Sequence, residues 1–295
     1  MDKNREKVSL IFPAYNESAA IGEVLDDAKK VMEKCGWEYE IIVVDDASTD
    51  DTGKIAGSKS VRVIRHKVNR GVGGARKTGI KAATGSIIIM SDADATYPLA
   101  EIPKLLELSG EYDQVIGARS TETGSMRPLR ILAKWFIRKL ASFVSAQKII
   151  DLNSGLRVFR KKTSLKFFNI LPDSHSWEST ITLAYICNGY SVGYHPIAYL
   201  PRKGKSTFHP IKDTATYIAL IIRTIMFFRP LRVFFPLSFI VCTFGLIKLI
   251  YDWRWLHDIR ESDIMIIIVG VLFAAMGFLA ELIVRQHQHQ YLDLE

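Results

Sequence analysis

The sequence predicts an α/β fold, with helices on both faces of a mostly parallel sheet, followed by a membrane-associated C-terminal part. Within the first 120 residues, five short apolar runs alternate with segments of helical periodicity. The runs are continuously apolar, as is typical of parallel strands that are buried on both faces. Two long apolar segments follow near the C-terminus, and they indicate that the chain is anchored in a membrane.

The predicted strands and helices alternate regularly along the chain. In the first helix, Ile21, Val24, Leu25 and Ala28 recur at helical spacing, and Gly36 ends the pattern. Further helices are predicted in DDTGKIAGS, GVGGARKTGIKAAT and LAEIPKLLELSG. The predicted strands lie in KVSLIFP, YEIIVVD, VRVIRH, SIIIMS and DQVIGAR. In a sheet of this kind, ligands bind outside the carboxyl ends of the strands.

The C-terminal part is predicted to form a transmembrane hairpin. Segments 233–252 and 264–284 are apolar, and about 20 apolar residues in a helix cross the hydrocarbon core. The polar, tryptophan-bearing DWRWLHDIRESD between them is typical of an interfacial turn. The alternative is a pair of buried helices in a soluble core.

The segment before the hairpin mixes apolar residues with Arg223, Arg229 and Arg232. It predicts a helix that lies on the membrane surface or, alternatively, packs against the globular domain. We therefore expect a globular domain over residues 1–210, an amphipathic helix over 211–231 and the hairpin with a short tail over 232–295.

The chain carries a formal net charge of +8 and has a pI near 9.3. This charge favours anionic partners, namely nucleic acid, an anionic membrane surface or a phosphorylated substrate. Nucleic acid is not expected, because it explains neither the hairpin nor the acidic strand ends, and no aromatic–basic RNA-binding motif is present. Most lysines and arginines lie outside the hairpin turn, which predicts a cytoplasmic globular domain and tail. Self-association stays open, since Gly270 with Ala274 only weakly matches a small-xxx-small face.

Two carboxylates follow the fourth predicted strand, at Asp92 and Asp94, with Ala93 between them. In an extended segment, residues i and i+2 point to the same side, so both carboxylates can face one site. Such carboxylates repel each other unless a cation lies between them. Oxygen ligands without His or Cys suit Mg²⁺ or Mn²⁺, so a metal site is predicted. The alternative is a solvated acidic turn.

Asp45 and Asp46 end the second predicted strand. An acidic residue at this position of a parallel sheet often accepts hydrogen bonds from a ribose or base. The alternative is that Ser48 or Asp50 simply caps the next helix. The two interpretations are compatible, because such a cap would leave Asp45 available.

A glycine-rich turn follows the third predicted strand. It matches neither the dinucleotide fingerprint nor the P-loop. It either brings N–H groups and cations to a phosphate or serves as a tight packing turn. The residues concerned are Arg70, Gly71, Gly73, Gly74, Arg76 and Lys77.

Four motifs, in order, resemble family 2 glycosyltransferases with a GT-A fold over residues 7–210: VSLIFPAYNE, IIVVDDASTDDT, NRGVGGARKTGIKAATGSIIIMSDAD and DLNSGLRVFRK. VIGAR, RPLRILAK, SGLRVFR and PRKGKSTF, followed by membrane helices, are most similar to the polyprenyl-phosphate branch. The resemblance implies a GDP- or UDP-linked sugar donor, a divalent metal ion (Mg²⁺ or Mn²⁺) and a dolichyl or undecaprenyl phosphate acceptor.

The resemblance also implies roles for individual residues. Metal binding is implied for Asp92 and Asp94, and catalysis for these two with Arg119 and Arg202. Nucleotide contacts are implied for Pro13, Ala14, Tyr15, Glu17, Asp45, Asp46, Arg70 and Ala93. Contacts with the acceptor phosphate are implied for Arg119, Arg130, Ser154 and Lys205. Thr96 stands where the mannose synthases of the branch commonly have Gln, which leaves the donor sugar open.

A phosphate acceptor changes what the protein must supply. A phosphate monoester has its second pKa near about 6 and arrives as an anion, so it needs no general base. An in-line displacement at the sugar C1 would invert the anomeric centre. Glu178 is the nearest candidate for a base, and a surface or capping role is its alternative.

The sequence is less consistent with two other functions. A polysaccharide-building transferase would carry more membrane helices and a QxxRW-like motif, and the sequence contains no such motif. A catalytically weak scaffold of glycan assembly is disfavoured by the intact DAD sequence at residues 92–94.

Overall fold

The computed structural model describes residues 6–119, 149–174, 176–200, 226 and 229–292. Within these residues, one sheet has seven strands in the order β3-β2-β1-β4-β6-β5-β7. The strands are β1 (Val8–Ala14), β2 (Tyr39–Asp45), β3 (Arg62–Arg65), β4 (Ile87–Met90), β5 (Gln114–Arg119), β6 (Arg157–Arg160) and β7 (Val192–Ile197).

The sheet is mixed, with a parallel half and a reversed strand. β1 pairs in parallel with β2 and β4, and β3 pairs in parallel with β2. β6 runs antiparallel to both β4 and β5, whereas β7 is parallel to β5. The five predicted strands are confirmed, but β6 and β7 were not predicted. The parallel half carries the strand ends on which the candidate site is built.

Helices cover both faces of the sheet, as predicted. Among the described residues of the globular domain, the α-helices are α1 (Ile21–Cys35), α2 (Thr52–Gly57), α3 (Val72–Ala82), α4 (Ile102–Leu108), α5 (Lys161–Lys166) and α6 (Trp177–Cys187). α1 ends at Gly36, whose φ of 69° lies in the left-handed region that glycine adopts readily. The hairpin consists of α7 (Leu231–Tyr251), a π-helical turn (Asp252–Leu256) and α8 (Glu261–Leu292).

Two apolar layers bury the sheet. Leu10 and Phe12 of β1 face the cluster formed with α1 and α4, whereas Ile11 between them faces the cluster formed with α3 and α6. Every residue of β1 is buried. This two-sided burial explains why the strands are continuous apolar runs in the sequence.

The hairpin helices are exposed along most of their length. Leu231–Leu256 and Glu261–Val284 are long and apolar enough to cross a membrane, yet only 11% of the most apolar window of each is buried. Phe239 is 67% exposed and Leu282 is 64% exposed. A soluble core would bury such residues, so the alternative of two buried soluble helices does not describe this hairpin.

Small residues let the two hairpin helices approach closely. The Ser238 hydroxyl donates to the Gly270 carbonyl oxygen at 2.7 Å, and a Cβ on Gly270 would collide with the sulfur of Cys242. A Cβ on Gly245 would lie 2.8 Å from Cγ1 of Ile267. Gly270, which was considered above for self-association, therefore packs within the chain.

A polar cluster closes the hairpin at its turn. The Nζ of Lys248 lies 2.9 Å from the Asp252 carboxylate and also pairs with Asp263. It further donates to the Ser262 hydroxyl at 3.0 Å. The predicted interfacial helix over 211–231 lies almost wholly outside the described residues.

Replacing Gly270 by Leu should destabilise the hairpin, because the added side chain has no room beside Cys242. Overpacking of this kind costs about 1–3 kcal/mol. Thermal unfolding of the purified chain in detergent measures the effect. Ala275→Leu, at an exposed position of α8, is the matched control and should leave the melting temperature nearly unchanged. Equal melting temperatures for the two variants would contradict the close packing of α7 and α8.

Candidate active site

The candidate site lies at the carboxyl ends of β1, β2 and β4. Three non-glycine residues in the loops after these strands have positive φ angles: Asn16 at 56°, Ala47 at 62° and Ala95 at 61°. Such backbone is costly for residues with a Cβ, and it occurs preferentially at functional sites. The loops thus turn sharply at the edge where ligands of parallel sheets bind.

Hydrogen bonds join the loop after β1 to the loop after β2. The backbone N–H of Asn16 donates to the Ser48 hydroxyl at 3.0 Å, and that of Glu17 donates to the Thr52 hydroxyl at 2.8 Å. These bonds hold the two predicted nucleotide-binding motifs together. Both bonds depend on the hydroxyl side chains that follow β2.

The predicted nucleotide residues of the first motif differ in exposure. Pro13 and Ala14 belong to β1 and are buried. Tyr15 is 47% exposed at the rim, and Glu17 is partly buried. Tyr15 is therefore the aromatic ring of this motif that a ligand could contact. Nucleotide binding by all four residues stays a prediction.

Asp45 is fully buried, and only one of its two carboxylate oxygens accepts a hydrogen bond from the described residues. Its Oδ1 accepts the Ser48 N–H at 2.9 Å, whereas its Oδ2 accepts no hydrogen bond from the described residues. Oδ2 lies 3.4 Å from the Arg65 guanidinium. One oxygen of Asp45 therefore holds the loop, and the other accepts no hydrogen bond within the described part of the chain, so the two roles predicted from the sequence are compatible.

Asp50 lies one residue before Asp51, the N-cap residue of α2, for which no side-chain capping bond is present among the described residues. Asp50 accepts the N–H of Thr52, the first residue of α2, at 2.9 Å. Partial burial works against the shift, but hydrogen bonds from Thr52 and Ser18 outweigh it and lower the pKa of Asp50 to about 2.

Asp46 is turned into the fold. Its Oδ1 lies 2.5 Å from Nδ1 of His66 and accepts the Arg70 N–H at 2.9 Å. The side chain therefore holds the loop after β3 in place. The nucleotide contacts expected of Asp46 and Arg70 stay predictions, and the structure gives Asp46 this additional internal role.

The glycine-rich turn is a packing turn. Gly73 and Gly74 donate their N–H groups to the carbonyl oxygen of Asp173, at 2.9 and 3.3 Å. A Cβ on Gly73 would lie 2.8 Å from the carbonyl carbon of Asp173. These two N–H groups are used within the fold, so the phosphate-binding alternative does not apply to them.

Asp92 and Asp94 follow β4, and Oδ1 of each accepts hydrogen bonds from within the fold. Oδ1 of Asp92 accepts from Nη2 of Arg76 at 2.7 Å, and the Asp92 side chain is 30% exposed. Oδ1 of Asp94 accepts from the N–H and hydroxyl of Thr96 at 3.1 and 2.5 Å. Asp94 is 6% exposed and Ala93 is 2% exposed. Thr96, which was noted above only as a departure, fixes the second carboxylate.

Arg76 and Glu178 form a buried ion pair beside Asp92. Nη1 of Arg76 lies 2.5 Å from Oε1 of Glu178, and Arg76 is 1% exposed. Glu178 is 8% exposed in the first turn of α6. The surface role considered for Glu178 is wrong, because its carboxylate is buried against Arg76.

A second guanidinium completes this cluster. Trp177 has the Arg76 guanidinium 5.4 Å and the Arg157 guanidinium 5.9 Å from its ring centroid. Burial lowers the pKa of Arg157 to about 10, although the Glu178 carboxylate opposes the shift. The sequence offered Arg76 only as a cation beside a phosphate and gave Arg157 no role, because buried and exposed arginines look alike in a basic chain.

Arg119 is held by a carboxylate. Its Nε and Nη2 donate to the two Asp151 oxygens at 2.8 and 2.9 Å, in a bidentate pair. Burial alone would raise the pKa of Asp151, but the paired guanidinium outweighs it and lowers that pKa. The predicted phosphate contact of Arg119 would have to share its charge with Asp151. Arg130, Arg202 and Lys205 lie outside the described residues.

The Ser154–Gly155 turn touches the candidate metal site. Ser154 is fully buried, and its hydroxyl has no hydrogen-bond partner among the described residues. The Gly155 N–H donates to the Tyr97 hydroxyl at 2.7 Å. A Cβ on Gly155 would lie 2.5 Å from Oδ2 of Asp92. Only glycine therefore leaves room for Asp92. The SG motif alone did not indicate this contact.

The same segment contacts the hairpin. Val233, in the first turn of α7, packs against a cluster that contains Ile149 and Leu152. Nε of Arg229 donates to the carbonyl oxygen of Cys187, at the end of α6, at 3.2 Å. The loop that carries Ser154 thus begins beside the start of the hairpin.

Comparisons with known proteins agree with this architecture. Residues 9–168 match the model of glycosyl transferase family 2, and residues 229–285 match the GtrB C-terminal hairpin. The chain belongs to glycosyl transferase family 2. It is therefore a glycosyltransferase, and the resemblance drawn from the four motifs is confirmed.

Two relatives of this glycosyltransferase illustrate the branch. The dolichyl-phosphate hexose transferase of Haloferax volcanii is 29% identical over 71% of this chain and 90% of its own length. The undecaprenyl-phosphate 4-deoxy-4-formamido-L-arabinose transferase of Shewanella sediminis is 26% identical over 96% of this chain and 89% of its own length. The second alignment includes the hairpin.

A solved structure supports the fold of the glycosyltransferase. Glucosyl-3-phosphoglycerate synthase from Mycobacterium tuberculosis, in complex with Mn²⁺, UDP-glucose and phosphoglyceric acid, matches with a TM-score of 0.61 and 20% identity. The match covers 76% of this chain and 81% of that one. The predicted GT-A fold is confirmed.

The residues of the glycosyltransferase fit a hard divalent ion. Asp92 and Asp94 offer carboxylate oxygens, and the described residues contain no group of three or more His, Cys, Asp or Glu side chains that could hold a metal. Mg²⁺ typically binds through one or two carboxylates and completes its shell with water and substrate phosphates. A two-carboxylate site is therefore sufficient for this ion and poor for zinc.

The Arg119–Asp151 pair should make a pH-dependent contribution to stability. Because the folded-state pKa of Asp151 is lowered, its contribution is present above the unfolded pKa, about 3.9, and is lost as pH falls through the folded pKa. Asp151→Asn should cost about 3 kcal/mol near pH 7, and the difference should shrink below about pH 4.

Urea unfolding at several pH values measures this difference. Asp27→Asn is the control, since Asp27 forms an exposed pair with Lys30 that contributes little. A constant difference between Asp151→Asn and the unmodified chain across this pH range would show that the Asp151 charge does not stabilise the fold.

Proposed function

We propose that this glycosyltransferase moves a sugar from a nucleotide sugar to a polyprenyl phosphate at the membrane surface, with inversion at C1. One observation carries the proposal. The loop of residues 149–155 lies against Asp92 at Gly155, and its Ile149 and Leu152 belong to the cluster against which Val233 of the hairpin packs. The candidate metal site and the membrane anchor are thereby joined by one short segment, as a lipid-linked acceptor requires.

The donor nucleotide is proposed to bind between the loops after β1 and β2. The exposed ring of Tyr15 can stack on a base. Oδ2 of Asp45, which lies 3.4 Å from Arg65 but accepts no hydrogen bond from the described residues, can take one from the base or ribose. GDP- and UDP-linked sugars are both compatible with these groups. The proposed nucleotide site also includes Pro13, Ala14, Glu17, Asp46, Arg70 and Ala93.

Asp92 and Asp94 are proposed to hold Mg²⁺ or Mn²⁺ against the donor diphosphate. When bound, such an ion stabilises the negative charge that develops on the leaving nucleoside diphosphate. Arg76 and Thr96 keep the two carboxylates in place. No described His or Cys takes part.

The acceptor is proposed to be dolichyl or undecaprenyl phosphate, the two lipids named for the relatives described above. Its phosphate is already anionic and can attack without a general base. Arg119, Arg130, Arg202, Lys205 and Ser154 are the proposed contacts. The globular domain (1–210) and amphipathic helix (211–231) are proposed to face the cytoplasm, beside the hairpin domain (232–295).

An activity assay tests the proposal. The purified full chain in detergent is incubated with dolichyl or undecaprenyl phosphate and with GDP-mannose, UDP-glucose or UDP-N-acetylglucosamine, with and without EDTA. A lipid-linked sugar should form with at least one donor, and EDTA should abolish it. Transfer only to a soluble or polymeric acceptor, or transfer that EDTA leaves intact, would contradict the proposal.

Asp94→Ala should lower turnover by about 10³-fold, because charge stabilisation by a metal ion is worth several kcal/mol and each 1.4 kcal/mol is a factor of ten. Turnover is measured with saturating Mn²⁺. Asp27→Ala, on the exposed face of α1, is the control and should behave as the unmodified chain. Near-full activity of Asp94→Ala would show that Asp94 is not a metal ligand.

A further inference from the structure

Arg76 is among the largest fully buried side chains of the described residues, and the sequence predicted for it only a position as a cation beside a phosphate. It projects from α3 to Asp92 at the end of β4 and to Glu178 in the first turn of α6. An arginine is rarely buried to this extent unless carboxylates pair with it. Its position beside the candidate metal site therefore calls for a functional explanation.

We propose that Arg76 and Glu178 are positioning residues for the metal-binding carboxylate of Asp92. Arg76 occupies Oδ1 of Asp92, and Gly155 lies against Oδ2. The carboxylate is thus held from two sides before a ligand arrives. Hydrogen bonds of this kind from outside the metal shell orient a ligand and raise its affinity for the metal. The inference rests on the proposed metal role of Asp92.

Glu178 has a distinct part in this arrangement. If Arg76 were paired with Asp92 alone, the guanidinium would neutralise the carboxylate and compete with the metal ion. Its second nitrogen instead lies 2.5 Å from Oε1 of Glu178. One cation is shared between two anions, so Asp92 is oriented by Arg76 while the trio of Arg76, Asp92 and Glu178 keeps a negative charge.

The same geometry argues against Glu178 as a general base. One of its oxygens is engaged by Arg76, and the other is buried without a hydrogen-bond partner. A base must reach the proton that it accepts, within about 3 Å or through one water. Arg76 bonds to both carboxylates and so links Glu178 to Asp92.

Arg157 provides a matched control within the same cluster. It is fully buried and lies against the same Trp177 ring as Arg76. It donates to the carbonyl oxygens of Ser154 and Glu178 and to the Thr182 hydroxyl. No bond between Arg157 and Asp92 is present. Loss of Arg157 should therefore destabilise the cluster without releasing the Asp92 carboxylate.

Binding of Mn²⁺ tests the proposal independently of turnover. Electron paramagnetic resonance counts free Mn²⁺ during a titration of the full chain in detergent, with and without UDP or GDP. Arg76→Met should weaken Mn²⁺ binding by about 10- to 100-fold, the range found for such outer-shell groups. Arg76→Lys keeps the charge but cannot bridge both carboxylates, and should be intermediate. Arg157→Met should bind Mn²⁺ as the unmodified chain does.

Glu178→Gln separates positioning from base catalysis. If Glu178 positions Arg76, the variant should bind Mn²⁺ more weakly and recover most of its kcat at saturating Mn²⁺. If Glu178 is a base, Mn²⁺ binding should be unchanged and kcat should fall by about 10²-fold or more at every Mn²⁺ concentration. The second result would overturn the proposal for Glu178.

The remaining outcomes distinguish this inference from the proposed function. If Asp92→Asn binds Mn²⁺ as well as the unmodified chain, the metal role of Asp92 fails. If Asp92→Asn loses Mn²⁺ while Arg76→Met and Arg76→Lys keep it, only the positioning role fails. If Arg157→Met loses as much affinity as Arg76→Met, the effect is general destabilisation and the inference is overturned. Should Arg76→Met not fold, Arg76→Lys and Glu178→Gln decide.

Discussion

Arg76 donates from inside the fold to Asp92 at the end of β4, and the surrounding site is built around this pair. Burying a guanidinium removes it from water at a large cost, which only close anionic partners offset. Asp92 and Glu178 supply that charge, and the Trp177 ring lies beside the guanidinium. α3, β4 and α6 must therefore meet at one point, which fixes the position of the glycine-rich turn and of the first turn of α6.

The packing near this pair connects the proposed chemistry to the membrane. Gly155 lies against Asp92 because no larger residue fits there. The segment that leads to Gly155 contains Asp151, which holds Arg119 in a bidentate pair, and Leu152, which lies in the cluster against Val233 of the hairpin. A displacement of the hairpin would thus act on the proposed acceptor site through a few covalently linked residues. This arrangement suits an enzyme whose acceptor is confined to a bilayer.

The sequence predicted the parallel half of the sheet well, because strands buried on both faces leave unbroken apolar runs such as Ile87–Met90. It did not predict β6, Arg157–Arg160, which runs antiparallel to both neighbouring strands and so lies outside the regular alternation of parallel strands and helices. The acidic strand ends were recognised as a site because their position follows from topology. The roles of Arg76 and Glu178 were not, since burial and pairing across α3 and α6 arise from tertiary contacts that no local pattern encodes. The different contacts of Asp45 and Asp46 also arise from tertiary structure, so the sequence did not distinguish the two residues.

An experimental structure with Mg²⁺ and the nucleoside diphosphate of the donor that the enzyme turns over tests the central claim most directly. We expect Mg²⁺ within about 2.1 Å of oxygens from Asp92 and Asp94 and beside the diphosphate, with the Arg76 contacts to Asp92 and Glu178 retained. A metal ion held by other residues, or a diphosphate bound at this edge with Asp92 turned away and paired only to Arg76, would contradict this claim.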